Sequence, residues 1–234
     1  MKNRSMSVLS SILVIGLAVV AANAVAATVE LQFDSLPTDQ GWHYQGHIPE
    51  STAASVDGTK LIINTMNRGA VTAWFFMPNI VNPDLPFTLS VRARVSESET
   101  LFWPFGFQAR NGLELWSVDL GQDSINLPSQ ATMPIVGAQF HDFVIDVIPG
   151  VKSDFYIDGI LAESTTPFIS NVNGYSVSFG DGNAVNSNSN GLIEISRLSF
   201  VQPVPLPGAL PLLISGIIGL SLFSNRRVRQ NRRC

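Results

Sequence analysis

The stretch Phe87-Thr88-Leu89-Ser90-Val91-Arg92-Ala93-Arg94-Val95 decides the fold class, because apolar and polar side chains alternate along all of it. Successive side chains of a β-strand point to opposite faces, so a period of two predicts a strand with one buried face. The same alternation returns in 105–110, 143–147 and 175–179. Half-buried strands of this kind are typical of antiparallel sheets.

Turn signals and further apolar runs extend this pattern. Asp158-Gly159 predicts a two-residue hairpin turn, whose central residues both need a positive φ. The apolar phase of the last strand slips at Arg197, which predicts a bulge. About ten short strands without helical periodicity predict an all-β fold, a two-sheet antiparallel β-sandwich. The strands predicted besides the alternating ones are 29–33, 60–63, 71–76, 113–120, 154–157 and 192–200.

Several of these segments resemble the concanavalin A-like, or laminin-G-like, jelly rolls. The opening 33–37 with Gly41-Trp42 is similar to their first strand and loop. The stretch 139–147 followed by 154–159 is similar to their central hairpin, with Phe140 in place of the usual tryptophan. The resemblance implies a jelly roll, a fold that hosts lectins, glycosidases and adhesive domains and therefore leaves the function open.

The N-terminus has the pattern of a secretory signal peptide. Two basic residues precede an apolar run over 8–22, and Ala24-Val25-Ala26 supplies the small residues that a signal peptidase requires. The run is shorter than the roughly 18–20 residues of a membrane-spanning helix. Residues 1–26 are therefore predicted to direct export, and 27–202 to form the exported domain.

The C-terminal segment 203–234 begins with a proline-rich motif and ends in an arginine cluster. Between them, 204–223 has no charged residue and is long enough to cross a bilayer as a transmembrane helix. Basic residues stay on the cytoplasmic side of a membrane. Arg226, Arg227 and Arg229 are therefore predicted to anchor the tail in the cytoplasm, with the acidic domain outside.

This three-part order resembles the PEP-CTERM sorting signal of Gram-negative bacteria, in its VPLPA-type variant, on Val204, Pro205, Leu206 and Pro207. Leu206 stands where the namesake Pro-Glu-Pro has glutamate, and Gly208 where the VPLPA form has alanine. The resemblance implies an exosortase-type processing enzyme as a partner. It also implies a role with exopolysaccharide or biofilm, on the membrane or at the cell surface after processing.

Charge is divided unevenly along the chain. All 18 acidic residues lie between Glu30 and Glu194, and the predicted exported domain 27–202 holds only seven of the 14 bases, which gives it a net charge of −11. Nucleic-acid binders present clustered cations on a folded surface, so no nucleic-acid partner is predicted. The single cysteine, Cys234, lies in the predicted cytoplasmic tail, and the exported domain is expected to have no disulfide.

Catalytic residues are not predicted. A glycoside hydrolase needs two carboxylates about 5–9 Å apart. Glu114 and Asp119, five residues apart, would face opposite sides of a regular strand. Asp142 and Asp146 share a face but would lie about 13 Å apart along it. No nucleophile elbow, Walker loop or dinucleotide fingerprint occurs either, so the chain is expected not to be an enzyme.

Two groups of residues have side chains that can bind metals. His43, His47 and Glu50 lack the helical spacing of a zinc site and are predicted to lie in a polar loop between strands. The stretch 180–191 offers oxygen ligands for calcium but lacks the spaced acids of a calcium loop. No metal or other cofactor is therefore predicted, with calcium as the open alternative.

Aromatic side chains can stack on the apolar face of a sugar. The candidates for such a platform are Trp42, Tyr44 and Trp116, the last because it alternates with the flanking leucines. Trp74 and Trp103 lie in apolar runs and are predicted to be core residues. For each tryptophan the core is the favoured location.

These features predict an exported, non-catalytic surface or matrix protein that engages glycan, exopolysaccharide or another surface protein. The alternatives are a structural or adhesive matrix protein without glycan affinity and, less favoured, a glycoside hydrolase. The acidic domain favours a neutral glycan over an anionic polysaccharide.

Overall fold

Antiparallel β-strands make up most of the described chain, which in this computed structural model comprises residues 26–99, 103–182 and 190–203. Ala26–Pro203 forms a compact unit with its own core. Residues 1–25 of the predicted signal peptide, the sorting motif and the arginine-rich tail lie outside the described residues, whereas Ala26 is the first residue of the first strand. Within those residues, no helix has the length and apolar character needed to cross a membrane.

The first sheet has eight strands. They are β1 (Ala26–Glu30), β3 (Ala54–Val56), β4 (Leu61–Asn64), β6 (Phe87–Ser98), β10 (His141–Ile148), β11 (Lys152–Ile157), β12 (Ile160–Thr165) and β14 (Gly191–Pro203). Their spatial order is β12-β11-β10-β6-β14-β4-β3, and β1 pairs with the last part of β14.

The second sheet has six strands. They are β2 (His43–Gly46), β5 (Ala73–Pro78), β7 (Phe105–Leu120), β8 (Ser124–Asn126), β9 (Thr132–Pro134) and β13 (Phe168–Asp181). Their order is β2-β5-β13-β7-β8-β9. The helical elements of the described part are a 3₁₀ turn, Pro37–Gln40, and a single turn, α1 (Glu50–Ala53).

Strand β7 doubles back on itself near Gly112, which has a φ of +64°. A Cβ placed on Gly106 would lie 2.9 Å from Asp119 Oδ1, whereas a straight strand would separate these residues by about 40 Å. The two arms of β7 therefore lie side by side. They correspond to the two strands that the sequence predicts at 105–110 and 113–120.

The core lies between the two sheets. On β6 every second residue from Phe87 to Val95 is buried, as the alternation predicts. Rings from the second sheet complete the packing, with Phe75 stacked on Phe179 at a centroid distance of 5.2 Å and Trp42 edge-on to Phe179 at 4.9 Å. The all-β, two-sheet antiparallel fold is thus confirmed.

Two local predictions also hold. Asp158 and Gly159 have φ values of +51° and +77°, and the flanking Ile157 and Ile160 are paired, as the hairpin turn requires. The pairing of β14 with β6 shifts register just before Arg197, where the slip in apolar phase predicts a bulge.

Candidate functional site

The outer face of the second sheet carries a cleft of 490 Å³. Its floor is a row of residues, one from each neighbouring strand segment, that the strand registers place side by side. The row consists of Gln45, Trp74, Gly180, Gly106, Asp119 and Asn126. We call this feature the outer cleft.

Glycines let the ring of Trp74 lie close to the sheet. A Cβ on Gly106 would lie 3.4 Å from the edge of this ring, and a Cβ on Gly182 would lie 2.9 Å from it. A distance of 2.9 Å is closer than real Cβ atoms come without displacing their neighbours, so the ring position depends on the missing side chain of Gly182, while Gly106 leaves room for contact. The Asp119 carboxylate reaches over Gly106 from the other side and is therefore a neighbour of the ring edge.

A second tryptophan lines the outer cleft just before β7. Trp103 is half-buried, and its Nε1 donates a hydrogen bond to Ser124 Oγ at 3.0 Å. This bond orients the indole and satisfies its only polar atom. The cleft thus presents two aromatic surfaces. Trp74 belongs to β5, and Trp103 is held by its hydrogen bond to Ser124 of β8.

Polar side chains complete the lining. Gln45, Gln108 and Ser117 contribute amide and hydroxyl groups, and the two glutamine amides make no hydrogen bond within the part of the chain that the structure describes. Burial raises the pKa of Asp119, and a hydrogen bond of 3.3 Å from Asn126 Nδ2 to its carboxylate offsets part of that effect. The cleft therefore combines apolar rings with several hydrogen-bonding groups.

The carboxylates considered for hydrolysis lie in different parts of the structure. Asp119 is the one carboxylate among the described residues that line the cleft. Glu114, which the sequence predicts on the opposite side of the strand from Asp119, lies beside the turn of β7 and accepts a hydrogen bond from Gly150 N at 3.4 Å. Asp142 and Asp146 lie on the first sheet, where Arg92 and Arg197 contact the former.

The structure places the predicted platform residues in the core. Trp42 is 3% exposed and Trp116 is 0% exposed, so neither ring can stack on a ligand. The candidate role of both is therefore wrong, and the favoured core location is the observed one. For Trp116 the reason is the turn at Gly112. The turn leaves Leu113 48% exposed, and after it the buried residues are Trp116, Val118 and Leu120.

Tyr44, the third candidate, is half-buried rather than part of the cleft lining. Its ring packs beside Phe75 at a centroid distance of 5.1 Å, and its hydroxyl donates to Ile48 O at 2.7 Å. Burial, with a smaller contribution from the charge of Glu50, raises the pKa of this tyrosine. These contacts give Tyr44 a structural role at the edge of the second sheet.

The two predicted core tryptophans are the ones that line the outer cleft. Trp74 alternates with the buried residues Ala73 and Phe75, so the period of two already placed it on the opposite face. Gly106, alternating with buried phenylalanines, was a second signal, because glycine on an exposed phase permits a ring to lie over it. Trp103 follows no such pattern, and its location depends on the tertiary structure.

The residues considered as metal ligands have separate partners. His43 belongs to β2 instead of a loop, a correction to the sequence prediction, and its ring stacks on Phe76. His47 Nδ1 accepts a hydrogen bond from Thr72 N at 3.2 Å, and the Glu50 carboxylate accepts one from Thr38 Oγ1 at 2.5 Å. Among described residues no group of three or more His, Cys, Asp or Glu side chains could hold a metal. Residues 183–189 of the calcium alternative lie outside the described residues.

Comparison with solved structures shows what the fold is similar to. Lectin I-B4 from Griffonia simplicifolia aligns with a TM-score of 0.53 at 10% identity, covering 76% of this chain and 100% of the lectin. The Crh5 transglycosylase, in complex with NAG, aligns with a TM-score of 0.51 at 11% identity, covering 79% and 86%. A carbohydrate esterase from Shiga toxin-encoding bacteriophage phi24B aligns with a TM-score of 0.52 at 12% identity, covering 76% and 99%.

Sialidases match as well, but the chain spans only 27%, 18% and 26% of three of them. The sequence matches no protein-family model and no curated protein. At these identities the structural likeness describes the fold alone, a lectin-like β-sandwich that also occurs in glycan-active enzymes.

Proposed function

We propose that this chain is an exported, non-catalytic surface or matrix protein that binds a glycan in the outer cleft. The observation that carries the proposal is the pair of partly accessible indoles, Trp74 and Trp103, beside the amides of Gln45 and Gln108, which have no hydrogen-bond partner among the described residues. A pyranose has an apolar face that stacks on an aromatic ring and hydroxyls that need hydrogen-bonding partners. The lectin-like fold of the structural neighbours supports the same function.

The lining of the outer cleft also favours a class of glycan. It contains the Asp119 carboxylate and, within the described residues, neither lysine nor arginine. An anionic polysaccharide would therefore place negative charge against a partly buried carboxylate without a compensating cation. We propose a neutral glycan as the ligand.

The location of the protein rests on the sequence patterns. Export by the signal peptide at 1–26, sorting by the motif Val204–Pro207 and processing by an exosortase-type enzyme are parts of the proposal. Mass spectrometry of the mature C-terminus tests this part. Loss of the residues beyond the motif would support processing, whereas an intact tail in a membrane fraction would indicate a plain anchor.

The binding proposal is tested with the purified unit Ala26–Pro203, first on an array of bacterial glycans and then by titration calorimetry. Trp74→Ala is expected to lose affinity for any glycan that binds. Tyr156→Ala is the matched control, because this half-buried aromatic lies on the first sheet, away from the outer cleft. Silence across neutral glycans would sink the proposal and favour an adhesive protein without glycan affinity.

A further inference from the structure

One end of the sandwich presents large apolar side chains to the solvent. Each of six residues there is between 48% and 63% exposed. Clusters of exposed apolar side chains are uncommon on soluble proteins, and where they occur they often mark a surface that contacts a membrane or another protein. We call these residues the terminal apolar patch: Leu113, Ile148, Val151, Phe168, Ile169 and Val172.

The terminal apolar patch is continuous across both sheets. The turn between β10 and β11 joins the turn of β7 through the hydrogen bond from Gly150 N to Glu114 Oε2. Ile169 pairs directly with Glu114 at the start of β13. Arg110 donates to Val172 O at 2.5 Å, which holds the bulged part of β13 against the same turn. The exposed side chains of these three segments are therefore neighbours.

The described chain begins and ends at this same end of the sandwich. Ile148 and Pro203 line one cleft of 360 Å³, and Ala26 pairs with Pro203. The sequence that follows Pro203 is the uncharged run 204–223, whose 20 residues are enough to cross a bilayer. An apolar surface thus adjoins the point at which an apolar segment leaves the domain.

We propose that the terminal apolar patch rests on the lipid bilayer in which 204–223 is anchored. This inference depends on the membrane anchoring in the proposed function. Once the tail holds the domain at the membrane, apolar side chains beside the exit point gain free energy by entering the interfacial region. No separate recognition of the lipid is needed, because the anchor supplies a high effective concentration.

The charges around the patch favour a zwitterionic lipid surface. Lys152 pairs with Asp154 at 2.6 Å, and Glu114 and Asp84 line a shallow depression beside the patch. Three of these four charges are negative, so anionic lipid is not favoured beside the patch. The contact should therefore be apolar in origin, without dependence on anionic lipid or on salt.

This orientation would leave the outer cleft, on the side of the sandwich, clear of the membrane. Gly106, on the cleft floor, is six residues from Gly112 at the turn of β7, a distance of about 20 Å along the strand. A domain resting on the terminal apolar patch would therefore hold the outer cleft open toward a glycan outside the cell.

The test uses the full chain in phosphatidylcholine vesicles. Cys234→Ser removes the native thiol, and Ile169→Cys carries an environment-sensitive fluorophore. Ile160→Cys is the matched control, because Ile160 is an isoleucine of the first sheet that is 74% exposed at the opposite end. Flotation of the vesicles reports anchoring independently of the fluorophore.

The label at position 169 is expected to shift its emission to the blue and to become several-fold less accessible to aqueous iodide in vesicles, while lipid-attached quenchers reach it. The label at position 160 should show neither change. Adding Phe168→Ser and Val172→Ser should restore iodide access at position 169; both side chains are more than half exposed, so the fold should persist.

The outcomes separate the proposals. Flotation with equal iodide access at both labels would overturn the docking of the patch alone. Protection from iodide without quenching from the lipid would replace the bilayer by a second copy of the chain as the occupant. A chain that does not float would overturn anchoring and docking together, while glycan affinity, measured by calorimetry, stands or falls separately.

Discussion

Replacing Trp116 by alanine is expected to lower stability and leave glycan affinity unchanged, whereas replacing Trp74 should weaken glycan binding with little loss of stability. Trp116 is 0% exposed and packs edge-on against Phe87 at a centroid distance of 5.5 Å. Removing a fully buried tryptophan leaves a cavity and costs about 3–5 kcal/mol. For a domain of this size that corresponds to a fall in Tm of roughly 6–20 °C.

Trp74→Ala removes a half-buried ring that lies over glycines, so its effect on the free energy of unfolding should be about 1 kcal/mol or less. Its effect on glycan affinity should be larger. Losing one stacked aromatic surface corresponds to roughly 1.4 kcal/mol, or about a tenfold increase in Kd.

Thermal unfolding and calorimetry on the two variants of Ala26–Pro203 measure both effects. Trp116→Ala, examined below its lowered Tm, should retain the affinity of the native domain. The reasoning would be refuted if Trp116→Ala left the Tm unchanged and abolished binding, or if Trp74→Ala unfolded the domain. Either result would restore the assignment that the sequence alone suggests.

Three further predictions concern the titratable groups and one turn. Burial raises the pKa of Asp119, so the unfolded chain releases this proton at a lower pH than the folded chain, and stability falls as pH rises from the unfolded pKa of 3.8 through the folded pKa. Asp119→Asn should therefore raise the Tm at pH 7 and lose this advantage near pH 3. An equal gain in Tm at both pH values would contradict the assignment. Glu194 is buried and bonded to Lys60 and Arg94; burial opposes its ionisation, but these bonds lower its pKa, so its contribution is present above the unfolded value of 4.5 and lost below the folded pKa. Glu194→Ala should cost about 1–3 kcal/mol in urea unfolding at pH 7 and much less at pH 2. Gly159→Val should cost about 1–3 kcal/mol, since Gly159 has a φ of +77° that β-branched residues avoid, and an unchanged Tm would disprove the strain.

Local patterns predicted the fold well, because each depends on neighbours in sequence. The alternation in β6 identified the buried face of that strand, and Asp158-Gly159 identified the turn between β11 and β12. Both follow from backbone geometry that a few residues determine. In β5, alternation with Ala73 and Phe75 would also have placed Trp74 on the outward face, but the apolar composition around it led to the wrong prediction of a core residue.

The candidate site was harder to predict, because it is built from segments far apart in the chain. Asp119 and Gly106 meet only because β7 turns at Gly112, and Trp74 reaches them only because β13 lies between β5 and β7. An indole ring is suited both to packing in a core and to stacking on a ligand, so the local sequence does not show which of these two roles a tryptophan has.

The sequence by itself determined that this chain folds as an antiparallel sandwich, and it carries the signals that predict export and anchoring. Periodicity, turn residues and uncharged runs are properties of contiguous segments. Only the tertiary structure decided which tryptophans face solvent, which carboxylate lies in the outer cleft, and that the terminal apolar patch lies beside Pro203. The physical reason is that strand order and register, which local sequence leaves open, choose the neighbours of every exposed side chain.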